Sequence, residues 1–582
     1  MSIYMKMPAM EAAVKILEDE GVEVIFGIPG AGILPFYKAL ANSKKIKHYT
    51  VRHEEGGVHA ADGYARASGK VGVCVGTSGP AGTNMVTGLY AAKVDAIPIV
   101  AITGQNVRAQ LGKDAFQATE IAEIVKPITK KSWCVMEPSH IPMIFREAFR
   151  IAREGRPGPV LIDLPLDVQR AEIEYDPEGD RSLEVFKPKP SWRQIRKAVD
   201  MILAAERPLF LMGGGVIIAD ATREFIELAE FLQVPIVTSL MGKGGVPADH
   251  PLYAGQVGVI CNTPLGNKVF LESDLVFAVG CRFSDRHTGD LEVYRRGRKF
   301  IHVDIEPTQI GRIFSPDLGI VGDAKITLQM MLEEVKRRAE EISPNPGHSV
   351  LLSIVQQRKS SEWVKNIPEL RVKMARKMDY EQIPIKPQRV MKEINEFFPR
   401  DTIFVTTIGL NQIWSSQMQE IFYPRHYLVP GGAGPLGWDL PAAIGAKIAR
   451  PDKLVVAVTG DYGFGFCCEE FAVACQYNIP FIIIIINNGY LSLIRQQEKY
   501  LYNFEFAVDI WYDGQMADFV KFAEAFGAAG KRVTRIEEIK EAFKWAVEYS
   551  ETKRRPALVD IIVDRYADAS MGTALDKVVE RE

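Results

Sequence analysis

In this chain of 582 residues Asp461 stands directly after an apolar run that ends in Thr459-Gly460, and Asn488 and Tyr490 follow the five isoleucines 482–486. A carboxylate, an amide oxygen and a backbone carbonyl are hard donors. That set suits Mg²⁺, which keeps an octahedron and completes it with water and phosphate oxygens. Two strand ends that bring Asp461, Asn488 and the Tyr490 carbonyl to one point would hold the metal, and the metal a diphosphate. Singly, a Gly-Asp turn or an Asn-Asn pair is ordinary turn chemistry. Their order, across a helix and a buried strand, gives them weight.

Two further stretches could serve the same site. Gly409, Leu410 and Asn411 follow the apolar run 403–406, and 431–438 reads Gly-Gly-Ala-Gly-Pro-Leu-Gly-Trp; backbone so rich in glycine can approach a ligand closely. Near the N-terminus Arg52-His53-Glu54-Glu55-Gly56-Gly57 opens a helical pattern. Read alone, two acids there are a solvated helix start favoured by the helix dipole. A zinc-protease helix is excluded, because His53 and His59 lack the HExxH spacing and Gly56 and Gly57 would weaken the helix. Likewise 76–80, Gly-Thr-Ser-Gly-Pro, lacks the second glycine of a nucleophile elbow.

The elements that must carry these residues are short β-branched runs, each ending in Gly or Asp and followed by a helical pattern, as in parallel βα units. They fall into three sets: 22–27, 71–76, 97–103 and 160–164; 209–212, 275–279 and 300–303; 403–406, 454–458 and 481–486. Stretches 175–191 and 343–387 read as linkers. The expected class is α/β, three doubly wound parallel-sheet domains spanning 1–175, 192–342 and 386–566, with a tail at 567–582. In such sheets ligands bind beyond the carboxyl ends of the strands, where the residues above stand.

Composition bounds the partners. Hydrophobic residues at 47% and charged residues at 25% are ordinary for globular chains. A net charge of −3 with scattered basic residues argues against nucleic acid and anionic membranes. No run approaches the ~20 apolar residues of a membrane span, and no signal-peptide pattern opens the chain, so a cytoplasmic location is expected. Seven cysteines with no CxxC pair point to reduced thiols rather than disulfides or zinc.

The Gly460-Asp461 to Asn487-Asn488 pattern resembles the thiamine-diphosphate motif of the decarboxylase and acetolactate-synthase superfamily, with Tyr462 where that motif usually has a second glycine. The resemblance covers nearly the whole chain. It implies that the 1–175 domain binds the cofactor's pyrimidine, the central domain is of flavin type, and the 386–566 domain binds the diphosphate. Gly409, Leu410, Asn411, Gly460, Tyr462 and Gly463 would contact the diphosphate, and Asp461, Asn488 and Tyr490 the Mg²⁺. The Gly434 carbonyl would accept from the aminopyrimidine, and Leu436 would press the cofactor into its bent form. Glu54 matches the glutamate that hydrogen-bonds N1′ of the pyrimidine.

In the middle domain 282–289, Arg-Phe-Ser-Asp-Arg-His-Thr-Gly, is similar to a flavin-contacting segment of that superfamily. With it come Gly213, Gly214, Gly215, Leu240, Met241, Arg286, Thr288, Asp304, Ile305, Asp323 and Ala324. The resemblance implies FAD in a structural role; an empty vestigial site is the alternative.

Within the superfamily 434–438, 286–289, 304–312, 491–496 and 570–572 resemble glyoxylate carboligases, also called tartronate-semialdehyde synthases. These lyases release CO₂ and join two glyoxylates into tartronate semialdehyde. Phe116, Gln117, Leu493 and Ile494 would line the substrate pocket, with core packing as the alternative for all four. Glyoxylate carboligases carry an aliphatic residue where this chain has Glu54, which keeps an acetolactate-synthase-like activity open as the second reading. A flavin-dependent oxidoreductase is the reading from another class. The resemblance also implies a homodimer or homotetramer whose sites lie between chains.

Overall fold

Every hydrogen-bonded neighbour in the three large sheets runs parallel. The molecule is described from a computed structural model covering residues 5–177, 179–340, 349–511 and 514–581. Each of the three domains contributes one six-stranded sheet. The N-terminal sheet has spatial order 47–50, 24–27, 72–76, 99–105, 160–165, 131–134, and the C-terminal sheet 427–428, 403–406, 455–460, 482–487, 557–562, 529–533. In chain order within each domain both read 2-1-3-4-6-5, so the two are the same fold twice. The central sheet, 253–256, 236–238, 208–212, 275–279, 299–304, 318–321, reads 3-2-1-4-5-6, the strand order of dinucleotide-binding folds.

Central strands are apolar throughout because helices cover both faces. Ile482–Asn487 is buried at all six positions, with β-branched residues on both pleats. The helix Glu54–Ser68 ends at Gly69, whose φ of +76° supplies the left-handed cap. It lies against the helix Asp439–Ala449 of the C-terminal domain, backbone to backbone. A Cβ on Gly63 would sit 2.2 Å from the Ala442 carbonyl oxygen, and one on Gly445 would sit 1.9 Å from that of Ala60. One apolar cluster therefore runs through both domains, from Phe26, Val58 and Ala61 to Leu440, Ala457 and Ile483. The central domain keeps clusters of its own.

The linker expectation for 343–387 needs correction. Residues 343–348 lie outside the described residues, but Val350–Ser360, Glu362–Lys365 and Ile367–Lys373 are helices. Leu351 and Val364 enter the central core, and Trp363 Nε1 donates to the Pro208 carbonyl at 3.0 Å. By contrast, among the described residues of 175–191 no helix or strand follows Glu172–Tyr175 until Trp192–Ala204, which Ser191 opens with a capping box. The tail docks on the central domain, where the Gly572 N–H donates to the Val259 carbonyl at 2.8 Å. No helix among the described residues is long and apolar enough to cross a membrane.

Candidate active site

In the C-terminal sheet the strand order reverses between 403–406 and 455–460, and a cleft of about 230 Å³ opens at their carboxyl ends. Its wall contains Gly409, Leu410, Asn411, Gly434, Leu436, Gly460, Asp461, Tyr462, Gly463, Asn488, Tyr490, Leu493 and Ile494. Every residue that the sequence assigned to the diphosphate, the metal and the cofactor's bend is thus brought to one place.

The acidic side of the cleft is held by backbone. Asp461 Oδ1 accepts from the Tyr462 N–H at 2.8 Å, and Oδ2 accepts from the N–H groups of Asn488 at 3.1 Å and Gly489 at 2.5 Å. The Asp461 carboxyl is 5% exposed. Burial raises its pKa to about 6, opposed by those three N–H bonds. Among the described residues no lysine or arginine pairs with it. The Ser492 hydroxyl lies 2.8 Å from Asn488 Oδ1 and 3.1 Å from the Tyr490 carbonyl oxygen. Asn488 Oδ1 also accepts from the Tyr490 N–H at 3.2 Å, and the single Ser492 proton can go to only one of the two oxygens, so acceptor capacity is left over beside a carboxylate with no cationic partner among the described residues. That donor set fits a small hard cation. It contains one acid only, in keeping with the absence, among the described residues, of any cluster of three His, Cys, Asp or Glu side chains able to hold a metal.

The opposite wall fits an anion. The helix Leu410–Met418 begins after Gly409 with no side-chain cap, so its first N–H groups face the cleft as a helix N-terminus does toward phosphate. Gly409 has φ +132°, and a Cβ there would sit 2.3 Å from Asn411 Oδ1. Asn411 Nδ2 donates to the Thr407 carbonyl at 3.1 Å. Thr407 Oγ1 in turn donates to the Pro435 carbonyl at 2.6 Å, tying the glycine-rich turn to the strand end. Gly434 sits in that turn at φ +63°. Ser492 and this threonine brace carried no signal in the sequence beyond their closeness to the motif.

Glu54, Phe116 and Gln117 do not line this cleft. They gather at the carboxyl end of the N-terminal sheet. Glu54 opens its helix at 8% exposure, and Asn84 Nδ2 donates to its Oε2 at 2.9 Å. A Cβ on Gly76 would lie 3.5 Å from Glu54 Cγ. The solvated-helix-start reading therefore fails for Glu54. Glu55 lies 3.4 Å from His59; burial raises its pKa, but the His59 hydrogen bond and charge bring the net shift downward. Gln117 Oε1 is 3.3 Å from the Ser78 hydroxyl, with φ +58°. Phe116 is 85% exposed and Ile494 46% exposed, so neither is a core residue.

The second, larger cleft, about 350 Å³, opens beyond strand ends 208–212 and 275–279, where the central sheet's order reverses. Gly214, Gly215, Leu240, Met241, Arg286, Asp304, Ile305, Asp323 and Ala324 line it, together with Arg156 and Arg282. Two expected residues do not. A Cβ on Gly213 would meet the Gly280 carbonyl oxygen at 2.1 Å, so this glycine serves close packing of the turn. Thr288 is buried, 2% exposed, within its short helix. The Arg286 guanidinium reaches toward Gln412 Oε1 at 3.4 Å, and burial raises the Asp304 carboxyl to about 6. A cleft at a switch point, with guanidinium groups and close-approach glycines, fits a dinucleotide.

Comparison with known families matches the chain to three descriptions: "Thiamine pyrophosphate enzyme, N-terminal TPP binding domain" over residues 7–124, "central domain" over 195–331, and "C-terminal TPP binding domain" over 407–561. Among curated proteins the chain is 46% identical over 586 residues to a glyoxylate carboligase of Escherichia coli O157:H7, covering 99% of this chain and 96% of that protein. It is 40% identical over 588 residues to a probable acetolactate synthase large subunit of Methanococcus aeolicus, covering 99% and 95%. With the corresponding Methanocaldococcus jannaschii protein it shares 42% over 569 residues, covering 96% and 92%.

Proposed function

The chain belongs to the thiamine pyrophosphate enzymes, and on that premise we propose that it is a Mg²⁺-dependent carboligase that condenses two glyoxylates. The balanced reaction is two glyoxylate anions plus one proton giving one tartronate semialdehyde anion and CO₂. The observation that carries the reading is the convergence of Asp461, the Asn488 amide oxygen and the Tyr490 carbonyl at the mouth of an apolar cleft. The near-full-length likeness to a glyoxylate carboligase supports the choice of substrate.

Bound there, thiamine diphosphate would supply a nucleophilic carbon toward the 2-oxo acid and a sink for the electron pair released with CO₂. The chain's own residues do the rest. Asp461, Asn488 and the Tyr490 carbonyl hold Mg²⁺ and through it the diphosphate. Gly409 to Asn411 and Gly463 present backbone to the phosphates. The Gly434 carbonyl would accept from the aminopyrimidine, and Leu436 would pack against the cofactor. Glu54 shares a proton with N1′, the role of a positioned acid-base group. Leu493 and Ile494 give the pocket an apolar wall that excludes water, which strengthens the electrostatics at the reacting carbon.

Because Glu54 and Gln117 stand apart from the metal cleft in one chain, the complete site is assigned to two facing chains of a homodimer or homotetramer, with Gln117 and Phe116 of one reaching the pocket of the other. FAD is assigned to the central cleft in a structural role, since the reaction is redox-neutral. The presence of Glu54 favours a second reading, an acetolactate-synthase-like condensation. CO₂ release and product analysis with glyoxylate alone, pyruvate alone and both together decide between them. Bleaching of a bound flavin on anaerobic addition of substrate would instead favour an oxidoreductase.

A further inference from the structure

The two residues before Glu54 are anchored by a carboxylate from another domain. The backbone N–H groups of Arg52 and His53 donate to Glu470 Oε1 at 2.9 and 2.8 Å. Glu470 closes the short turn Cys468–Glu470 in the C-terminal domain, a few residues beyond the Asp461–Phe464 turn of the metal cleft. Its side chain is 1% exposed. A seat has been left for it, since a Cβ on Gly56 would sit 2.5 Å from Glu470 Oε1.

Nearby contacts tie the same stretch to the same domain. The Thr50 N–H donates to the Tyr477 hydroxyl at 2.9 Å, and Arg52 Nη2 donates to Gln476 Oε1 at 2.6 Å. Among the described residues Glu54 itself has one side-chain hydrogen-bond partner, Asn84, on one carboxylate oxygen. Its aim is therefore set mainly by the backbone that leads into its helix, and that backbone is held by Glu470.

We propose that Glu470 is a positioning residue for Glu54, fixing the start of the Glu54–Ser68 helix so that the Glu54 carboxyl meets the pyrimidine ring of the cofactor. This rests on the reading of Glu54 given above. Burial raises the Glu470 carboxyl to about 7; the His53 and Arg52 N–H bonds oppose that rise, and the charges of Glu469 and Arg52 act in opposite senses. The neighbouring Cys467 thiol feels the Glu470 charge together with those of Glu55, Glu469 and Asp439. Both N–H bonds go to one oxygen, so an amide oxygen at this position can accept them as well. A misplacement of about 1 Å can cost on the order of 10²-fold in a positioned reaction.

The test uses the thiamine-diphosphate–Mg²⁺ holoenzyme and measures proton exchange at the thiazolium carbon, turnover, KM, cofactor affinity and melting temperature. Glu470→Gln should stay within about threefold of the parent, because the acceptor survives. Glu470→Met, of similar volume but with no acceptor, should slow exchange and kcat by about 10- to 100-fold while KM and cofactor affinity hold. Gly56→Ala, which leaves Glu470 in the chain but fills its seat, should reproduce the loss, and it carries the test if the Met variant fails to fold. Exchange in Glu470→Met or Gly56→Ala as fast as in the parent overturns the proposal. So does a parallel loss of cofactor affinity and melting temperature, which would make Glu470 a structural brace. A parent enzyme that exchanges no faster than free thiamine diphosphate overturns instead the reading of Glu54, and this proposal with it.

Discussion

Replacing Asp461 by alanine removes one carboxylate and three hydrogen bonds, and the two losses fall on different parts of the site. The bonds run from the N–H groups of Tyr462, Asn488 and Gly489 at 2.8, 3.1 and 2.5 Å. Each buried donor left without a partner costs about 1–3 kcal/mol. Water admitted by the smaller side chain recovers part of that. Asn488 and Gly489 belong to the turn that also offers the Asn488 amide and the Tyr490 carbonyl, so the turn loosens as the charge leaves. A net loss of about 3–4 kcal/mol in metal-dependent cofactor binding, or roughly 140- to 700-fold in Kd, is expected at ~1.4 kcal/mol per decade. Asp461→Asn keeps the shape and one acceptor oxygen but no charge, and should fall between parent and alanine. Calorimetric titration with thiamine diphosphate at fixed Mg²⁺, and with Mg²⁺ at fixed thiamine diphosphate, reads both affinities. Values within threefold of the parent for Asp461→Ala would refute the metal assignment and the argument from the N–H bonds together.

Glu54→Val should slow proton exchange at the thiazolium carbon by about 10²- to 10⁴-fold, with cofactor affinity little changed; equal exchange would return the role to Glu55 or to neither. Sedimentation at assay concentration should show a dimer or larger, and an active monomer would contradict a site shared between chains. Gly445→Ala forces a methyl group against the Ala60 carbonyl, only 1.9 Å from the ideal Cβ position, and should destabilise the fold by about 3 kcal/mol in chemical denaturation; an unchanged midpoint would deny the close approach. Asp163 is buried, and desolvation raises its carboxyl to about 7 against bonds from Thr103 and Gln105. A folded pKa above the unfolded value binds extra protons in the native state, so its contribution is complete below about pH 4 and is lost as pH rises through 7. Asp163→Asn should therefore flatten a decline on the order of 4 kcal/mol across that window, and a decline as steep as the parent's would assign it to other groups.

The parallel-sheet class was legible because central strands covered on both faces, such as Ile482–Asn487, read as unbroken apolar runs. The metal cleft was legible for a related reason, since its residues follow those runs directly and the strand order then brings two run ends together. Edge strands were not legible. Lys47–Thr50, Lys131–Cys134 and Ala529–Val533 each lie at a sheet edge and mix charged or polar residues into the strand. The helices within 343–387 escaped because they are short and their apolar residues do not mark one buried face: of the hydrophobic ones Leu351, Val364 and Ile367 are buried, whereas Val350 and Leu352 are exposed. Asn84 beside Glu54 and Glu470 beneath Arg52 had no sequence signal at all. Contacts between residues so far apart in the chain depend on how whole domains meet.

The glycine-lined seam between the helices Glu54–Ser68 and Asp439–Ala449 also bears on how the chain is made. Its two sides are encoded several hundred residues apart, with the central domain between them. At ~5–20 residues per second on the ribosome, the first side waits tens of seconds for the second. During that interval Ala60, Gly63 and Tyr64, buried in the finished protein against Ala442 and Gly445, have no partner helix to cover them. The nascent N-terminal domain therefore carries an open apolar stripe through most of its synthesis, a natural stopping place for a chaperone, and the last third of the chain is what finally relieves it.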